Sequence, residues 1–254
     1  VKIQNTVLTV LFSLLMADCT PPKNTLVIGH RGARGHLAEN TLPSIAKALD
    51  LGVDGVEIDV FQCASGELVV FHDKTLDKLT NATGYIEALD LDSIQRIEVL
   101  NGFTIPTLNE VLDLINGRVV LNIELKGRNT ALKTHELLQN YFEREEWSQE
   151  KILISSFDWD ELKLFRSVNK EVPIAVLTED DPLDALAVGL ELKAVAINPN
   201  FKSLNSDVVS KIHEKGFEIY TWTVNEVDDI NLIRSLGVEA IITDFPERVP
   251  KEKF

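Results

Sequence analysis

The chain has 254 residues, 44% of them hydrophobic and 26% charged, and carries a net charge of −15. That is enough apolar material for one large buried core, and the excess of acid excludes the basic face that a nucleic-acid binder would present. Two cysteines, Cys19 and Cys63, with no C-x-x-C pair, exclude a disulfide framework; an anionic substrate would need its positive charge supplied locally.

Residues 1–23 stand apart from the rest. Lys2 precedes an apolar run from Val7 to Met16, and small and polar residues follow. The run is too short to span a bilayer as a helix and fits the apolar region of an export signal. Cys19 just beyond it suggests lipid attachment and a membrane tether, although Asp18 is a poor residue directly before such a cysteine. An exported protein, periplasmic or membrane-anchored, is therefore expected. The alternative is a short terminal helix packed on the domain, which would make the protein cytoplasmic.

From residue 24 to 254 a single domain is expected. Strands are predicted at Leu26–His30, Gly55–Val60, Val119–Leu125, Ile152–Ser156, Pro173–Thr178, Ala194–Asn198, Glu218–Thr223 and Ala240–Thr243, each rich in Val and Ile and mostly bounded by Gly, Pro or polar residues. Helices are predicted between them at Leu42–Leu51, Leu108–Ile115, Ala131–Glu145, Trp159–Val168, Leu183–Leu190, Ser206–Lys215 and Val227–Leu236. Thr41, Thr107, Asp158 and Asn205 are start signals. This alternation predicts an α/β fold, a (β/α)8 TIM barrel. An open doubly wound sheet would usually carry a G-x-G-x-x-G turn after its first strand, and "GHRGARG" is not that pattern. Residues 61–106 break the alternation and form a small insertion at the C-terminal end of the second strand, where barrel active sites are built.

Val56 to Asp73, "VEIDVFQCASGELVVFHD", reads as a strand that folds back as a hairpin, because so short a connection can join only antiparallel strands. A turn centred on Ser65-Gly66 sets Asp59 opposite His72, with Glu57 on the same face; a three-residue loop would move His72 off this pairing. Asn122, Glu124 and Lys126 alternate onto one face near the end of another strand, and His30 and Arg31 end the first. All these ends meet at one rim of the barrel. Three inward acids need compensation. A salt-bridge network with Arg31 and Lys126 is one solution. A hard divalent cation on Glu57, Asp59 and Glu124 is the other, and oxygen-only donors suit Ca2+ or Mg2+ without deciding between them. Two histidines beside that cluster, His30 and His72, point to acid–base chemistry.

These residues, with "GHRGARGHLAENTLPSIAKAL", "IPTLNEVL", "NIELKG", "SSFD", "YTWTVN" and "IITDFP" in this order, resemble the glycerophosphodiester phosphodiesterases over Leu26 to Pro246. The resemblance implies a metal-dependent barrel hydrolase that takes a small-molecule glycerophosphodiester and releases glycerol 3-phosphate and an alcohol. It implies His30 and His72 as the catalytic pair, with His30 the expected base and His72 the expected acid. Glu57, Asp59 and Glu124 are implied as ligands of one divalent cation, Arg31 and Lys126 as phosphate contacts, and Trp222 as a wall of the substrate site. Residues 73–106 match the short form of the family's insertion. Ala38 stands where a proline is common, and Asn40-Thr41 reads mainly as a helix start, with a rim role open for Glu39. Ser155 and Ser156 are not expected to be nucleophiles, since no histidine is set beside them. The rival expectations are a related barrel enzyme acting on intact lipid, of phospholipase C or sphingomyelinase D type, and a non-catalytic protein that binds glycerophosphodiesters. Head group, oligomeric state and the attacking oxygen (water or the glycerol 2-hydroxyl) are not set by the sequence.

Overall fold

The computed structural model describes residues 25–250. The expected leader and Cys19 lie outside them. The strands, most of them rich in Val and Ile, are β1 (Leu26–His30), β2 (Gly55–Gln62), β3 (Leu68–Val70), β4 (Glu98–Val99), β5 (Phe103–Thr104), β6 (Val120–Leu125), β7 (Ile152–Ser156), β8 (Ile174–Thr178), β9 (Ala196–Pro199), β10 (Glu218–Thr221) and β11 (Ala240–Thr243). The helices are α1 (Leu42–Asp50), α2 (Leu91–Ile94), α3 (Leu108–Ile115), α4 (Thr130–Glu143), α5 (Trp159–Val168), α6 (Ala185–Leu192), α7 (Ser206–Glu214) and α8 (Val227–Ser235). Strands β1, β2 and β6 to β11 pair in parallel, and β1 closes on both β2 and β11. The result is the expected (β/α)8 barrel, with all eight predicted strands in its wall.

Alternation sorts each strand into two faces. Val27, Val56, Ile58, Leu121, Ile123, Ile154, Val176 and Ile219 point outward into the main core against the helices. Ile28, Leu153, Ala175, Ala196 and Ala240 turn inward and, with Val120 and Tyr220, fill the barrel. Higher up the same inward faces become polar, which marks the functional end. Helix starts use the predicted caps. Thr107 and Glu110 form a reciprocal capping box on α3. Asp158 caps α5, and Glu161 of α5 accepts from the Asn129 and Ala131 backbone N–H groups at the start of α4.

The hairpin differs from the expectation. Val60 pairs with Val70, Phe61 with Val69 and Gln62 with Leu68. A three-residue loop, Ala64 to Gly66, sets this register: the Cys63 N–H donates to Glu67 O at 2.9 Å, and Gly66 takes φ +101°, where a residue with Cβ would be strained. Phe71, not His72, therefore falls opposite Asp59, and its N–H donates to the Asp59 carbonyl at 3.0 Å. His72 lies two residues beyond the end of β3, in a bend. The rest of the insertion packs on its own small core of Phe61, Val69, Phe71, Leu76, Ile86, Ile94 and Ile105. The short helix α2 and the β4–β5 hairpin were not foreseen; elements of four and two residues leave no periodicity to read.

The turn after β1 is pinned to α1. Ser44 Oγ donates to Arg31 O and accepts from Ala33 N, both at 3.0 Å. Gly32 sits there at φ +86°, and a Cβ on it would lie 2.5 Å from the Ser44 carbonyl carbon and 2.7 Å from Ile45 N. Gly32→Ala should lower unfolding free energy by about 1–3 kcal/mol, seen as a lower denaturant midpoint at unchanged slope. A midpoint equal to that of the parent would show that the turn relaxes without cost.

Candidate active site

Strand register places the acidic cluster. Parallel pairing aligns His30 with Glu57, Glu57 with Asn122, and Asp59 with Glu124. Three adjacent strands, β1, β2 and β6, thus carry these side chains on one inward face. One carboxylate oxygen from each of Glu57, Asp59 and Glu124 lies within 4.8 Å of the others. Glu57 is 4% exposed, Asp59 0% and Glu124 8%.

Part of this charge is met within the protein. The Arg31 backbone N–H donates to Glu57 Oε2 at 3.0 Å; the turn that aims it holds Arg31 at φ +51°. The Arg31 guanidinium donates to Glu39 Oε1 at 2.5 Å, and its Nε lies 3.2 Å from Asp59 Oδ2. Lys126 Nζ donates to Glu124 Oε1 at 2.8 Å and lies 3.8 Å from Asp59 Oδ1. Asn40 clasps Asp59 from both sides: Nδ2 donates to Oδ2 at 2.8 Å, and Oδ1 accepts from the Asp59 N–H at 3.3 Å.

The compensation is incomplete. Glu57 Oε1 and Asp59 Oδ1 are buried and accept no hydrogen bond. Burial, then the neighbouring Asp59 and Glu124, push Glu57 well above the usual carboxylate range. Burial, then Asp59, push Glu124 up to about 7 against the pull of Lys126. Burial would also raise Asp59, but Arg31, Lys126 and His72 outweigh it and bring Asp59 below its ordinary value. Three hard oxygen donors, two of them with buried unpaired oxygens, could hold a divalent ion, and its charge would favour the ionised forms that burial opposes.

Each histidine is braced on its Nδ1 side. His30 Nδ1 lies 2.6 Å from Asp244 Oδ1, and His30 Nε2 lies 4.0 Å from Glu57 Oε2. His72 Nδ1 lies 2.6 Å from Asp73 Oδ1. Burial is the main cause that lowers both imidazoles from their ordinary value, against the opposing pull of Asp244 on His30 and of Asp59 on His72.

A cavity of about 370 Å³ opens here, lined by His30, Arg31, Glu57, His72, Glu124, Lys126 and Trp222. Asp59, the remaining residue of the sequence-derived set, is not part of that lining and is fully buried. His72 reaches the cavity through the bend after β3 and not through the cross-strand pairing expected for it. Trp222 donates from Nε1 to Asn198 O at 2.9 Å and meets Phe157 edge to face, with ring centroids 5.4 Å apart. Ser155 Oγ donates to Asn122 Oδ1 at 2.8 Å, and Ser156 Oγ donates to Leu125 O.

Several residues of the lining and its support were not singled out from the sequence, while Glu39 was open to a rim role and Asn40 read mainly as a helix start. Arg34, Phe157 and Glu179 line the cavity. Asp244 backs His30, Asn40 holds Asp59, and Glu39 links Arg31 to Arg34. Asp244 could have been found, as an acid directly after the last barrel strand in "IITDFP". The Asn40 contact spans 19 positions, with no periodicity to signal it.

A family model described as the glycerophosphoryl diester phosphodiesterase family matches residues 30–248. A glycerophosphodiester phosphodiesterase of Caldanaerobacter subterraneus is 31% identical over 88% of this chain and 95% of its own. One of Bacillus altitudinis is 33% identical over 89% and 97%. Among solved structures, an Oleispira antarctica phosphodiesterase in complex with the product sn-glycerol-3-phosphate superposes with a TM-score of 0.82, at 26% identity over 89% of this chain and 95% of that one. With the family model spanning most of the barrel and both histidines and all three acids at its mouth, the chain belongs to the glycerophosphoryl diester phosphodiesterase family and is an enzyme, a phosphoric diester hydrolase.

Proposed function

We propose that this enzyme hydrolyses glycerophosphodiesters to glycerol 3-phosphate and an alcohol, with His30 and His72 as the acid–base pair and one divalent cation, Ca2+ or Mg2+, on Glu57, Asp59 and Glu124. The observation that carries the reading is that both imidazoles line one cavity with Glu57 and Glu124 of the acidic cluster, each with Nδ1 against its own carboxylate and Nε2 left for chemistry. The product held by the Oleispira antarctica relative supports the substrate class. Such diesters are what remains of a glycerophospholipid once its acyl chains are removed, which assigns the reaction to lipid metabolism.

The residues divide the work by their chemistry. A bound divalent cation would supply Lewis-acid polarisation of a phosphoryl oxygen. Arg31 and Lys126 add the local positive charge that an anionic diester needs inside a chain of net charge −15; Arg can hold two oxygens, while Lys acts as a point charge. His30, the more deeply buried imidazole, accepts the proton of the attacking oxygen. His72 delivers a proton to the departing alkoxide. The attacking oxygen is water or the glycerol 2-hydroxyl, the second giving a cyclic phosphate first. Trp222 and Phe157 form an apolar wall for the glycerol or the alcohol. Residues 1–23 act as an export leader in this reading, with Cys19 as a tether where it is lipidated.

His30→Ala and His72→Ala should each lower turnover by roughly 10²–10⁴-fold with the thermal midpoint retained; near-normal hydrolysis by either variant would remove that histidine from the scheme. A panel of glycerophosphodiesters assayed for glycerol 3-phosphate should show loss of activity with EDTA and recovery with Ca2+ or Mg2+ added back separately. Activity indifferent to EDTA would refute the metal reading. Cleavage of intact phospholipid with none of the panel would favour the phospholipase-type reading instead. Fractionation of bacteria expressing the chain with residues 1–23 should find it outside the cytoplasm, and a cytoplasmic protein would refute the leader.

A further inference from the structure

We propose that Asp244 is the positioning residue for His30: it fixes the ring in the Nδ1–H tautomer and so turns a proton-accepting Nε2 toward the acidic cluster. The proposal rests on the reading of His30 as the base and adds to it which groups set that base.

The placement begins in the barrel wall. Gly29 of β1 is in register with Thr243 of β11, so the next residues, His30 and Asp244, leave adjacent strands side by side. Asp244 is 8% exposed. Its Oδ1 lies 2.6 Å from His30 Nδ1. Its Oδ2 accepts from Asn225 Nδ2 at 2.8 Å and from Arg34 Nη1 at 3.3 Å. The Asp244 N–H donates to Asn225 Oδ1 at 2.9 Å, so Asn225 grips both the backbone and the side chain. A carboxylate accepts and cannot donate. The proton in the Oδ1···Nδ1 contact therefore sits on Nδ1, and the neutral ring keeps its lone pair on Nε2.

The same network predicts what an amide would do. Asn225 and Arg34 both donate into the Oδ2 position, so the amide of Asp244→Asn would place its oxygen there. Its NH2 would then face His30 Nδ1 and donate to it. That moves the ring proton to Nε2, the nitrogen that must accept one.

Two measurements test this on the Mg2+-loaded enzyme at a pH where His30 is neutral. Long-range 1H–15N spectra should show His30 protonated on Nδ1 in the parent protein and on Nε2 in Asp244→Asn. In that variant kcat should fall by roughly 10²–10⁴-fold with KM little changed, because the substrate contacts stay in place. A parent His30 protonated on Nε2, or a folded variant with unchanged kcat, would overturn the proposal. The parent spectrum decides the matter even if the variant fails to fold. Full turnover by His30→Ala would instead refute the role of the base, whatever the tautomer.

Discussion

Three carboxylates crowd one end of the barrel, and the rest of the site is an answer to that crowding. Glu57, Asp59 and Glu124 are almost wholly buried and close enough to share one ion. Unpaired charges in such surroundings cost several kcal/mol each. The protein meets the cost with the Arg31 backbone N–H and guanidinium, the Lys126 ammonium and the Asn40 amide. It stops short of full compensation: two buried oxygens accept nothing, and Glu124 is pushed up to about 7. A site built only for stability would be expected to finish the pairing. The unfinished pairing is what gives the cluster room for a cation.

The barrel provides this geometry at little local cost because it separates two tasks along each strand. Outward faces of β1, β2 and β6 bury aliphatic side chains under the helices. Inward faces change from aliphatic at the bottom to charged at the top. Glu57 and Asp59 can therefore stand on a strand whose outward neighbours, Val56, Ile58 and Val60, are fully buried. Rigid strands hold the acids, whereas a loop would let them splay apart under their own repulsion. The insertion extends the same strand: β2 runs past the barrel wall to pair with β3, and the small core beneath Phe71 supports the bend that carries His72.

Much of this was legible in the sequence because short Val- and Ile-rich runs bounded by Gly, Pro or polar residues, the alternation of side chains along them, and strand-end position are local signals. All eight wall strands and the convergence of Glu57, Glu124, His30 and Arg31 follow from them. The hairpin register did not, because it turned on one residue of loop length. Ser65-Gly66 fits a longer loop as well as a shorter one, and only the Cys63–Glu67 hydrogen bond selects the latter. His72 still reached the expected cavity because the chain bends after Val70, a feature with no periodic signature. Asn40 was legible only as part of a helix start; its grip on Asp59 depends on a backbone at φ +57°, which a string of residue types does not announce. The acidic character of Asp244 was visible, but not the company it keeps.

That company distinguishes the two histidines, which otherwise share one pattern: Nδ1 against a carboxylate at 2.6 Å. His30 ends a barrel strand, and its carboxylate is held by Asn225 and Arg34. His72 sits in a bend, and its partner is the adjacent Asp73, whose side chain is 23% exposed and which also has Lys78 3.9 Å away. A base must already point its lone pair at the attacking oxygen when the substrate arrives, so rigid bracing suits it. An acid must meet a leaving group whose size changes with the alcohol, so a partly exposed ring on a bend lining the cavity suits that task. The difference in bracing therefore supports the proposed assignment of His30 as base and His72 as acid, on grounds independent of either ring's proton affinity.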